Sequence, residues 1–388
     1  MRQFLLVCIW ILPIFSSLFA VDFEVGRNTT PKSVLDSIKR GFDVNAVRKI
    51  DGYTPMHYAA ETGSVELASE LILRGSTLNP ITFTRQTPLA LAIQFKKKDL
   101  IRIFLEEGVD PNFKLGELFD GRSHFHYYIT KTRKLDKYIF DLFLKKGANL
   151  ETKDRFEETP LITIAQSSTD KKEHLQFLLS AKANIRAQAK GGKTALMGAV
   201  FTQNPEFIKI LLSAGAPIDQ KDSQGNTALI AMVNMGTSEN GEILKPNIMR
   251  LLIDSGAKVD ETNLLGNTAL HEAVVGSKIE LLELLGSSNA YTGLANKKSL
   301  TSLDQAIINE NYKVVESLLK YEKDLNALDQ YGSTKLHNAV INEKYVLIKL
   351  LLQAGADKNA PDKWGKTPIN VAETMKLTKA LELLESGP

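Results

Sequence analysis

The sequence predicts an all-α repeat solenoid of helix–turn–helix units joined by short β-hairpin-like turns. Three observations predict it. Threonines that open a helix recur at Thr54, Thr87, Thr159, Thr194, Thr227, Thr268, Thr301, Thr334 and Thr367, most of them about 33 residues apart. Each is followed by a short apolar helix and then a leucine-rich one, as in Leu350-Leu351-Leu352. Glycines punctuate the pattern: Gly332 precedes Thr334, Gly355 follows the leucines, and the repeat starts again at Asp362-Lys363-Trp364-Gly365-Lys366-Thr367. One helix pair cannot bury its leucines alone, so neighbours must stack to make a continuous core. A length of 388 residues would ordinarily suggest two or three domains. A stack grows by addition and needs no globular boundary.

The first segment is different. Met1-Arg2-Gln3 carries one positive charge, Phe4 to Phe19 is nearly all apolar, and small residues close it at Ala20. This is the pattern of a secretory signal peptide over 1–20. Pro13 and the short apolar core make a poor membrane span. An uncleaved N-terminal anchor is the alternative, kept open by the bulky Leu18. Cys8, the only cysteine, lies inside this segment. Cleavage after Ala20 would leave no cysteine and no disulfide, which fits a bacterial envelope better than a disulfide-rich exterior. Residues 21–50 read as an N-terminal capping half-repeat: Thr30-Pro31 opens a helix with apolar Val34, Leu35 and Ile38, and Gly41 ends it.

Residues 51–388 read as an array of about ten units. The first runs Asp51-Gly52-Tyr53-Thr54-Pro55-Met56-His57-Tyr58-Ala59-Ala60. Gly52 suits a turn with φ > 0, Thr54 caps the helix, and Pro55 takes its first position. This stretch resembles the ankyrin repeat motif almost letter for letter, and the resemblance covers nearly the whole chain after residue 20. Later repeats depart from it. Arg85 and Glu157 stand where the turn glycine belongs, so altered turn geometry is expected there. Ser299 is a third such position. Ser123-His124-Phe125-His126 opens a degenerate repeat. An insertion between Met235 and Pro246, rich in Gly, Ser, Asn and Glu, is expected to be a mobile surface loop. The last helix, from about Leu377 to Glu385, carries charge among its leucines, as a C-terminal capping repeat should.

The candidate chemistry is thin. His57, His126, His271 and His337 share one motif position, one per repeat, too far apart to hold a common ion; in the family this histidine bridges backbone groups between repeats. His124 with His126 is half of a zinc set, but nothing nearby completes four ligands. Gly191-Gly192-Lys193-Thr194 looks like the end of a phosphate loop, yet the earlier glycine of that motif is missing and the run falls where the repeat needs its turn. No catalytic residue, metal or cofactor is assigned, and the reading is not an enzyme. A formal net charge of +3 is too small for this length to argue for nucleic acid.

What the resemblance implies is a protein-binding scaffold, exported to a periplasm or secreted, serving a protein partner of unknown identity as a monomer. A sharper form is an inhibitor or immunity-type partner that masks a toxic or degradative enzyme. The alternative is a membrane-anchored structural envelope protein, with membrane contact only if the first segment stays attached. Two surfaces are candidates. Phe156, Leu265, Tyr331 and Trp364 stand just before the turn glycine position and form the expected partner-binding ridge. The plain alternative is that each ring folds over the next turn and shields it. Lys96-Lys97-Lys98, Lys131 to Lys137 and Lys145-Lys146 are either a solvated face, given the interleaved Asp99, Glu106, Glu107, Asp136 and Asp141, or a docking surface for an acidic partner or anionic headgroups.

Overall fold

The computed structural model describes residues 23–25, 29–167, 171–235 and 246–387. The expected signal segment and the interior of the insertion, 236–245, lie outside them. Every regular element among the described residues is helical. The chain divides into two compact units, Met1–Lys190 and Gly191–Pro388.

The N-terminal unit holds α1 (Pro31–Lys39), α2 (Pro55–Thr62), α3 (Val65–Leu73), α4 (Pro88–Gln94), α5 (Lys98–Glu106), α6 (His124–Lys131), α7 (Lys137–Lys145), α8 (Pro160–Ala165) and α9 (Lys172–Ser180), with one 3-10 turn at Glu117–Phe119. From α2 onward the helices alternate. First helices pack on first helices (α2, α4, α6, α8), and second helices on second helices (α3, α5, α7). Ala59 and Ala60 are fully buried, as the close approach of two layers requires.

The C-terminal unit holds α10 (Ala195–Phe201), α11 (Pro205–Ser213), α12 (Ala228–Asn234), α13 (Pro246–Asp254), α14 (Ala269–Val275), α15 (Ile279–Ser287), α16 (Ser302–Ile308), α17 (Tyr312–Leu319), α18 (Lys335–Ile341), α19 (Tyr345–Gln353), α20 (Pro368–Thr374) and α21 (Thr378–Ser386). Leu211, Leu318 and Leu351 are almost wholly buried in the second-helix seam. Burying each contributes roughly 1.5–3 kcal/mol.

The first helices start where they do because of their threonines. Thr87, Thr159, Thr194, Thr227, Thr268, Thr301, Thr334 and Thr367 each accept a backbone N–H from the third helical residue through the side chain. Such a cap contributes about 1 kcal/mol. The turn before most of these threonines closes on itself. In the last complete one the Asp362 N–H donates to the Lys366 carbonyl at 2.8 Å, and Asp362 Oδ1 accepts from the Trp364 and Lys366 N–H groups. Asp222 and Asp329 do the same in their own turns.

Gly225, Gly266 and Gly332 take φ of +79°, +77° and +84°, as expected. The expectation for Arg85 and Glu157 is corrected: at +58° and +59° they adopt the same left-handed turn, as does Ser299. Closing bonds override the cost of a side chain in that region, about 1–2 kcal/mol. At Glu157, Asp154 Oδ1 takes the N–H groups of Phe156 and Glu158, and the Asp154 N–H returns to the Glu158 carbonyl.

Candidate partner-binding face

The motif histidines sit in the core and hold repeats together. The Thr54 N–H points at His57 Nδ1 at 3.2 Å, which leaves Nε2 to donate to the Gln86 carbonyl of the next repeat at 3.1 Å. His271 reaches the Leu300 carbonyl and His337 the Lys366 carbonyl in the same way. His126 departs from the pattern: its Nε2 meets Thr163 Oγ1 at 2.9 Å instead of a backbone carbonyl. His124 uses both ring nitrogens, on Thr87 Oγ1 and the Asp110 carbonyl. Burial depresses the imidazoles of His57 and His124 to about 4 and that of His126 to about 3, and it lowers His271 as well. They are neutral structural links.

The four predicted ridge residues all lie at turn tips and are exposed: Phe156 by 45%, Leu265 by 65%, Tyr331 by 67% and Trp364 by 66%. The rings of Phe156 and Trp364 both carry a cation–π contact. Each lies under a cation of its own turn, Arg155 at 4.7 Å and Lys363 at 4.3 Å from the ring centroid. Phe156 belongs to the N-terminal unit and the other three to the C-terminal unit.

Within the C-terminal unit, neighbouring tips are joined by single backbone bonds. Ser223 N–H donates to Gly191, Leu264 to Gln224, Lys297 to Leu265, and Lys363 to Gly332. The last places Tyr331 and Trp364 on adjacent tips. Between the Lys297 tip and the Tyr331 tip no such bond forms among the described residues. The expected ridge from Leu265 to Trp364 is therefore interrupted.

Three further departures fall at this one junction, between the repeats opened by Thr301 and Thr334. Asp304 holds the histidine position, where Met197 and Ile230 in earlier repeats of the unit also lack a bridging ring, and it alone brings a charge there. A carboxylate cannot donate to the next repeat; it accepts from the Thr301 N–H and meets Lys335 Nζ at 2.6 Å. Second, α14 packs on α16 and α18 on α20, but α16 and α18 do not pack closely; the second helices α17 and α19 hold the junction. Third, the end of α17 is abnormal. Three other second helices of this unit wind into a left-handed glycine followed by a buried alanine: Gly215 then Ala216, Gly256 then Ala257, Gly355 then Ala356. The alanine N–H closes the helix, for instance Ala356 on Leu351 at 2.9 Å. Here Glu322 and Lys323 hold those places, no residue turns left-handed, and Lys323 stays in solvent.

The result is a cleft of about 830 Å³. Ile307 and Ile308 of α16 and Asn338 and Ala339 of α18 line it, with Leu328, Gln330 and Tyr331 on the intervening segment. Ile308, Leu328 and Tyr331 are exposed. The carboxylates around it are held ionised. Burial pushes Asp329 up, but the Ser333 N–H and the Asn338 amide outweigh it and bring the carboxyl below its ordinary range. Burial likewise opposes ionisation of Asp304, and the charge of Lys335 overcomes it.

The sequence of the family described as Ankyrin repeats (3 copies) matches residues 25–114, 128–222, 239–329 and 303–387, most of the chain. The chain belongs to the ankyrin repeat family. It is 28% identical to rat neurogenic locus notch homolog protein 1 over 202 residues, 48% of this chain and 8% of that protein. It is 28% identical to a putative ankyrin repeat protein of fowlpox virus over 184 residues, 46% of this chain and 38% of the viral one. The chain thus spans well under half the length of these relatives. Ankyrin repeat proteins are in general protein-binding scaffolds.

The ankyrin motif alone does not signal the cleft, because the motif is carried by the turn and the first helix. Its signal lay at the second helix end, where Glu322-Lys323 replaces the Gly-Ala pair of neighbouring repeats.

Proposed function

We propose that this chain is an exported, non-catalytic scaffold that holds a protein partner on the tip face of its C-terminal unit, around Tyr331, Trp364 and the cleft beside them. The opened junction between the Thr301 and Thr334 repeats carries this reading. A cleft of about 830 Å³ lies within the range that takes a ligand or a few side chains. Its apolar edge at Ile308 and Leu328 runs up to Tyr331, and Trp364 stands on the next tip. Exposed aromatic residues beside a pocket are the usual anchors of an interface. Leu265 extends the face on the far side of the cleft. Phe156 is a separate contact point.

The finer reading is an inhibitor or immunity-type partner, acting as a monomer in a periplasm or outside the cell. Export rests on the charge, apolar core and small terminal residue of 1–20. A second reading, a structural envelope protein anchored by that segment, rests on the bulky Leu18. Intact mass of the native protein separates them: loss of Met1 to Ala20 supports export, and a full-length species that pellets with membranes supports the anchor.

The binding reading is tested by capture from the native envelope extract. A partner retained by the parent should be bound about tenfold more weakly after Tyr331→Ala with Trp364→Ala, since a hot-spot truncation often costs about 2 kcal/mol. The melting temperature should barely move. Normal capture by the double variant, or binding lost in step with stability, would place the contact face elsewhere.

A further inference from the structure

The N-terminal unit carries a second concave surface, marked by charge. The degenerate repeat opened by Ser123 differs from its neighbours in two linked ways. Tyr128 stands where the first repeat has Ala59, and its buried ring stacks on Phe143 at 4.9 Å. The larger core residue requires more room between α6 and α7. The connection between these helices accordingly runs over residues 132–136, whereas Gly63 and Ser64 alone join α2 to α3. Leu135 is buried under this connection, and Tyr128 Oη donates to the Asp136 carbonyl at 3.3 Å.

The added residues bring Arg133 and Lys134 to the edge of a cleft of about 520 Å³ that Lys96, Lys98 and Lys137 also line. All five cations are exposed, while Ile93, Ile101 and Ile139 form buried walls between them. The single carboxylate in the lining, Asp136, is engaged by Lys98 at 2.7 Å. Lys137 pairs with Asp141 at 2.5 Å. Among the described residues, Lys96, Arg133 and Lys134 have no carboxylate partner. Lys96 is further held at φ +58°, on the turn between α4 and α5. Since the whole chain carries only +3, this is a local concentration of positive potential in a low-dielectric recess, where fields are focused.

We propose that this cleft binds an acidic polypeptide segment, with glutamate or aspartate side chains on the three unpaired cations. Concavity favours a peptide over a bilayer: a flat layer of headgroups meets only the outer edge of a recess, whereas an extended segment enters it. The site is independent of the tip face of the C-terminal unit.

The test is fluorescence anisotropy of the purified full chain with a fluorescein-labelled peptide in which glutamates flank a leucine. Binding should be clear at about 50 mM salt and lost near about 500 mM, where screening shortens to a few ångströms. A lysine-for-glutamate peptide should not bind. Arg133→Glu with Lys134→Glu should weaken binding about tenfold or more at unchanged melting temperature, whereas Tyr331→Ala with Trp364→Ala should leave it intact. Failure of the parent to bind, or equal binding by the charge-reversed variant, overturns the proposal. So does binding to phosphatidylserine vesicles without binding to the peptide, which would make the surface a membrane site.

Discussion

Gly332 shows how a single residue is constrained twice. Its φ of +84° lies where side chains are strained, and an added Cβ would come within 2.2 Å of Lys363 Cδ. At Gly266 the obstacle is backbone: the Lys297 N–H of the next tip would lie 2.8 Å from a Cβ. Gly332→Val should destabilise the chain by roughly 1–3 kcal/mol, and Gly266→Ala should do so by a similar amount because a backbone cannot swing aside. Thermal melting of both checks this; parental melting of Gly266→Ala would mean that the tips yield. The positive φ at these glycines was legible in the sequence, because glycine is the residue that such turns select. The same turn at Arg85, Glu157 and Ser299 was not. There the turn is held by the closing bonds around it, as at Asp154, and residue type conceals them.

At the scale of the element, the threonine caps and the leucine seams follow directly from the repeat, since capping and burial are read within a few residues. Thr334→Ala removes the side chain that accepts the His337 N–H, and should cost about 1 kcal/mol. Loss of the cap also frees His337, whose Nδ1 contacts Thr334 Oγ1 at 2.8 Å. Thr367→Ala, whose cap has no histidine behind it, should therefore be the milder change. Denaturant titration of the two variants decides the order, and a larger loss at Thr367 would contradict the linking role of His337. The candidate face was legible only in part. Exposed Tyr331 and Trp364 were readable from their place before the turn glycine. The cleft beside them was not, because it depends on α16 and α18 failing to meet, and a failure of packing leaves no motif.

At the scale of the molecule, the two compact units should differ in their response to acid. The N-terminal unit buries His57, His124, His126 and His174, whose imidazoles burial depresses to between about 3 and about 4 from an ordinary value of 6.5. The unfolded chain takes up protons near pH 6.5 that the folded unit refuses, so this stability is complete above 6.5 and falls as the pH drops toward 4. In the C-terminal unit burial lowers His271 as well, so the contrast is one of degree. Hydrogen exchange followed by mass spectrometry at about pH 7 and about pH 4.5 should show protection lost first from the N-terminal unit; equal loss in both would contradict it. In the C-terminal unit, the proposed binding function has the junction between the Thr301 and Thr334 repeats open for a partner at the expense of local stability. Glu322→Gly with Lys323→Ala restores the helix ending that Gly355 and Ala356 provide one repeat later. The most direct measurement is the melting temperature of this double variant beside its affinity for the captured partner. The melting temperature should rise, by an amount corresponding to about 1 kcal/mol, while affinity falls about tenfold as the cleft closes. A variant that is more stable and binds as well as the parent would show that the cleft is not where the partner sits.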